Sequence, residues 1–136
     1  EGQAWAEAGL KHGVGTIFLT APTSDDERIA TVAKVASGFI YAVARLGVTG
    51  ARTDVPPEID TLIERIRSHT NTPVCAGFGF SSPEQIRATC ASTPVDGIVV
   101  ASALIDRIEN TPGSSADKVK AAASFARELK EGTKRQ

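Results

Sequence analysis

The fourteen residues from Pro73 to Ile86, PVCAGFGFSSPEQI, hold the densest candidate chemistry in the sequence. Their apolar start reads as a buried strand, which runs into Gly77-Phe78-Gly79 and then into a helix opening, Ser82-Pro83-Glu84-Gln85. A helix N-terminus presents unpaired N–H groups and the positive end of the helix dipole, and glycines let a phosphate approach that backbone. The stretch is therefore either a tight strand-to-helix turn or an anion site. A second candidate is Gly47-Val48-Thr49-Gly50-Ala51, whose two glycines suit either a mobile lid or a plain solvated loop. Arg45 just before it can pair with a phosphate or a carboxylate, or simply be solvated.

Other tempting residues have simpler readings. His12 and His69 fall at helix C-termini, where a histidine suits the dipole. Asp25-Asp26-Glu27 reads as first-turn helix electrostatics rather than a metal site. Tyr41 alternates with Phe39 along a strand, so the two share a side, and Tyr41 fits a core role as well as a ligand role. Cys75 and Cys90 have apolar neighbours and no metal-ligand or C-x-x-C spacing, as expected of buried thiols in a reducing cytosol.

These candidates are positioned by alternating strand-period and helix-period segments. Residues 3–12 carry Trp5, Ala8 and Leu10 on roughly one helix face, with Gly13 as a stop. VGTIFLT is the first strand, and Ser24-Asp25-Asp26-Glu27 has the pattern of a capping box that opens a helix reaching about Ser37. FIYAV is the second strand; after the loop from Ala44 to Asp54, Pro57 opens a helix reaching about His69. PVCAGFG is the third strand, followed by a helix from Pro83 to about Ala91. GIVVAS, residues 97–102, is the fourth strand and leads directly into ALIDRIEN; a last amphipathic helix spans about Ala116 to Lys130.

A chain of 136 residues, 41% hydrophobic, has core enough for one domain or for part of a larger one. Its 15 basic and 16 acidic residues leave a net charge of −1, with no electrostatic footprint of a nucleic-acid binder. No apolar run is long enough to span a bilayer, so we expect no membrane association. The chain contains no methionine and opens on Glu1-Gly2-Gln3, from which we expect a processed or excised piece of something longer.

Four strands each followed by a helix imply right-handed crossovers and a parallel α/β sheet. A doubly wound dinucleotide-binding sheet needs a G-x-G-x-x-G turn after its first strand, and none follows VGTIFLT. The alternative is half of a (β/α)8 TIM barrel, equivalent to its strands 5–8, in which phosphate often sits on the loops after the last two strands. Residues 1–136 would then be the C-terminal half of a single barrel domain whose N-terminal half is missing.

TIFLTAPTSDDERI, GFIYAVARLGVTGAR, PVCAGFGFSSPEQ and DGIVVASALIDRIE, in this order, resemble the C-terminal half of the tryptophan synthase alpha chain family. The resemblance implies a cytoplasmic lyase of tryptophan biosynthesis. It would split indole-3-glycerol phosphate into indole and glyceraldehyde 3-phosphate without a cofactor of its own, in an alpha2beta2 complex with a beta subunit that carries pyridoxal phosphate. Carried over by position, Gly50, Gly79 and Ser102 match phosphate contacts, Tyr41 and Phe78 match aromatics beside the indole, and Thr49 matches a lid threonine. Ala21, Pro22, Thr23, Ser24, Asp25 and Asp26 lie in a loop resembling part of the contact with the beta subunit. Where the family usually has Gly-Ser this chain has Ala101-Ser102, tolerable if φ at Ala101 is negative.

The family's catalytic Glu and Asp fall on early strands ahead of Glu1, so no catalytic residue is assigned in this chain and we expect it to be inactive alone. Two other readings remain open at this level. One is another phosphate-binding barrel, such as indole-3-glycerol-phosphate synthase or phosphoribosylanthranilate isomerase. The other is a non-catalytic phosphate-binding half-barrel that dimerises.

Overall fold

The computed structural model describes residues 2–43, 57–77 and 79–134. Helix α1, Gly2–Lys11, precedes strand β1, Phe18–Thr20; α2, Asp26–Val35, leads to β2, Ile40–Val43; and α3, Pro57–Arg67, leads to β3, Val74–Gly77. Then come α4, Pro83–Ser92, the two-residue β4, Gly97–Ile98, and helices α5, Ser102–Glu109, and α6, Ser115–Gly132. The strands form one sheet in the order β1-β2-β3-β4, all parallel. Sequential order without a reversal is barrel topology, because a doubly wound sheet must switch direction partway.

The two faces of the sheet confirm this. Alternation puts Ile40, Ala42, Val74 and Ala76 on one side, all fully buried and matched in register as Ile40 with Val74 and Ala42 with Ala76. Over them lies α3, whose Ile59, Leu62, Ile63 and Ile66 recur at helical spacing and are buried to within 1%. Burial of each such side chain is worth about 1.5–3 kcal/mol, so this stripe is what seats α3. Ile29 and Val32 of α2, Ile86 of α4, and Phe125 and Leu129 of α6 complete the core. The opposite side carries a row in register, Leu19, Tyr41, Cys75 and Gly97, and it stays open, with Leu19 57% exposed. Helices on one face and an open concave face on the other make this half of a (β/α)8 barrel.

Three local expectations change. The N-cap of α2 is Asp25, not Ser24: Asp25 Oδ1 accepts from Arg28 N at 2.7 Å, while Ser24 Oγ accepts from Ala21 N at 3.1 Å. Either residue type can cap, and the turn from Ala21 to Ser24, closed by Ser24 N donating to Ala21 O at 2.8 Å, takes Ser24 out of the role. The fourth strand stops at Ile98 instead of running to Ser102, which opens α5. Helix α1 forms and stops at Gly13 in a Schellman arrangement, Gly13 N donating to Leu10 O at 3.1 Å and Val14 N to Gly9 O at 2.8 Å. Its expected apolar face covers no core, however: Trp5 and Leu10 are each 72% exposed.

At the N-terminal end of the sheet, Arg67 of α3 donates to Thr72 O at 3.0 Å and Pro94 O at 3.3 Å and pairs with Asp96. Asp96 Oδ2 in turn accepts from Val74 N at 2.8 Å. This network ties α3 to the starts of β3 and β4, and leaves the C-terminal strand ends free for function.

Candidate functional site

Parallel strands bring their C-terminal ends to one edge, and four connections start there: Ala21 onward after β1, residues 44–56 after β2, Phe78 to Ser82 after β3, and Val99 to Ala101 after β4. Gly50 and Thr49 in the second, and Phe78 in the third, lie outside the described residues, as does Arg45. Gly79, Ser102, Tyr41 and the Ala21–Asp26 loop are placed.

Gly79 has φ +79°, the left-handed region, and a β-carbon there would meet no atom of the described residues within 4 Å. The glycine is therefore required by the backbone conformation. Beyond it comes the helix opening that the sequence offered as an anion site. The N-terminus of α4 is already closed: Ser82 Oγ accepts from Gln85 N at 3.3 Å, and Gln85 Oε1 accepts from Ser81 N at 2.9 Å and Ser82 N at 3.2 Å. Glu84 adds a carboxylate of its own in that first turn, held below the usual carboxylate range by its backbone amide and then by the Ser82 hydroxyl.

The open helix end is that of α5. Its N-cap is Ala101, which has no side-chain acceptor, and Ala101 O accepts from Leu104 N and Ile105 N at 3.0 Å each. The N–H groups of Ser102 and Ala103 have no hydrogen bond among the described residues. An exposed Ser102 hydroxyl stands beside them. Ala101 has φ −125°, so the negative φ that its methyl group requires is present. Gly79 and Ser102 follow the adjacent strands β3 and β4.

Tyr41 is half-buried on the open face of β2, beside Leu19 and Cys75 in register. Its ring lies across Gly77, where a β-carbon would come within 2.7 Å of Tyr41 Cζ. Gly77 is thus glycine because the tyrosine occupies its side-chain space, a fit no spacing rule in the sequence could show. Gly77→Ala should lower stability by about 1–3 kcal/mol, the usual cost of overpacking, and Tyr41→Leu in the same chain should recover part of the loss. Thermal unfolding of the three variants checks this; an unchanged melt for Gly77→Ala would mean the ring is free to leave.

Burial pushes the Cys75 thiol up, and the Asp96 charge pushes it further, so it stays a neutral wall group rather than a nucleophile. A cavity of about 650 Å³ lies on the helix side between Ile86, Cys90, Ile98, Leu104 and Leu129, and none of the candidate site residues lines it. Among the described residues no helix is long and apolar enough to cross a membrane.

The sequence profile of the family described as tryptophan synthase alpha chain matches residues 1–134, almost the whole chain. The chain belongs to the tryptophan synthase alpha chain family. The tryptophan synthase alpha chain of Streptomyces coelicolor is 37% identical over 136 residues, which are 100% of this chain and 49% of that one. That of Opitutus terrae is 45% identical over 124 residues, 91% of this chain and 46% of its own. Among solved structures, Mycobacterium tuberculosis tryptophan synthase superposes with a TM-score of 0.81 at 30% identity, covering 100% of this chain and 48% of that one. A mutant alpha-subunit from Pyrococcus furiosus gives 0.76 at 26% identity, covering 93% and 49%. This alpha-chain segment thus spans about half the length of the relatives it matches.

Proposed function

We propose that this chain is the second half of a single (β/α)8 domain that cleaves indole-3-glycerol phosphate to indole and glyceraldehyde 3-phosphate, in the cytoplasm and without a cofactor of its own. The open N-terminus of α5 beside the left-handed Gly79, in a chain of this family, is the observation that carries the proposal. These groups hold the phosphate, with Gly50 as a further donor. Tyr41 and Phe78 border the indole ring on the concave face, and Thr49 orders the catalytic carboxylate from the lid. General acid–base catalysis is supplied by carboxylates of the other four β/α units. The loop Ala21–Asp26 docks the beta subunit, which takes up the indole.

The direct test joins this chain to the preceding four units and follows indole release from indole-3-glycerol phosphate, with glyceraldehyde 3-phosphate in equal amount. A folded barrel that binds the substrate and releases no indole overturns the assignment.

A further inference from the structure

Arg65 belongs to α3, yet its guanidinium reaches out of that helix to the loop after β1. Nε donates to Asp26 Oδ1 at 2.8 Å, and one Nη lies 2.7 Å from the same oxygen and donates to Ser24 O at 2.6 Å. No charge or motif marks Arg65 in the sequence. Among the described residues no other side chain from outside the loop and α2 hydrogen-bonds to residues 21–26.

Several polar groups of the loop are engaged. Ser24 N and Oγ close the turn on Ala21, Asp25 caps α2, and Ser24 O is taken by Arg65. What remains to face outward is a pre-formed knuckle of half-buried Pro22 and exposed Thr23. The Asp26 carboxylate is 74% exposed, so its pairing alone contributes little. The bond to the Ser24 carbonyl gives the fork its geometry, because a planar guanidinium can hold two acceptors in fixed relation and an ammonium cannot.

We infer that Arg65 is a positioning residue that holds the Ala21–Asp26 loop in its docking shape before the beta subunit arrives, and so governs the affinity of that complex and not the cleavage chemistry. The inference rests on the proposed function, which names the partner. Ordering a loop in advance removes part of the entropic cost of association. A lysine at this position reaches Asp26 or the Ser24 carbonyl, not both.

In the completed barrel, Arg65→Ala should raise the Kd for the beta subunit about 10-fold, the scale of losing a pre-organised loop. Arg65→Lys should recover only part of this. The unassisted kcat and KM for indole release, and the melting temperature to within a few degrees, should match the parent. Calorimetric titration and steady-state assays without the partner read both. An unchanged Kd with intact unassisted cleavage overturns the role of Arg65 alone, and so does a parallel loss of affinity, kcat and melting temperature, which marks a merely structural bridge. A parent barrel that folds and releases no indole overturns the functional assignment itself.

Discussion

Purified by itself, the 136-residue chain should release no indole from indole-3-glycerol phosphate above background, while the barrel completed by four further β/α units should turn over. Breaking the bond between indole and the glycerol side chain needs protons moved at both fragments, and positioned acids and bases contribute about 10²–10⁴-fold to such steps. The open face of the sheet offers Leu19, Tyr41, Cys75 and Gly97, none of them a carboxylate, and the Cys75 thiol is held neutral. The same face explains a companion result. With Leu19 57% exposed and Trp5 and Leu10 72% exposed, the isolated chain should self-associate, visible as species larger than a monomer in sedimentation. Turnover by rigorously purified chain that survives loss of the Tyr41 hydroxyl would show that the chemistry is carried here after all.

The next largest effect is expected at Gly79. In the completed barrel, Gly79→Val should weaken binding of glycerol phosphate by about 1–3 kcal/mol, the scale of one or two charge-assisted hydrogen bonds. At φ +79° a β-branched residue is strained whatever the space around it, so the loop must rotate and carry its amide out of line. Ser102→Ala should cost less, because it removes one hydroxyl and leaves the backbone donors of α5 in place. Lys130→Ala, on the exposed side of α6, should change nothing. Calorimetry measures the binding and circular dichroism confirms the fold. Equal affinity for Gly79→Val and parent would reduce the glycines around Phe78 to turn residues.

Much of the scaffold was legible because it is written in local periodicity. The stripe Ile59, Leu62, Ile63, Ile66 can only be a helix face, and the alternation Ile40, Ala42 against Tyr41, Val43 can only be a strand with two different sides. Gly13 and Pro57 marked helix boundaries by their own backbone limits. The family motifs gave the half-barrel, and by position the residues proposed to hold phosphate. Periodicity also misled, at α1: its apolar residues have a pattern, and a pattern does not say whether a covering surface is present.

What the sequence by itself determined is therefore the order and type of the elements, the parallel sheet, and Gly79 and Ser102 as candidates for one anion. Tertiary structure alone decided which helix end is free to receive it. Ser82-Pro83-Glu84-Gln85 read as a helix opening suited to an anion, but Ser82 and Gln85 form a capping box that closes it, whereas Ala101 leaves the end of α5 open. It also decided that Gly77 yields its side-chain space to Tyr41, and that Arg65 holds a loop some forty residues earlier in the chain. The physical reason is the same in each case: such bonds and contacts join residues distant in sequence, and their partners become neighbours only when the strands pair and the helices settle on one face of the sheet.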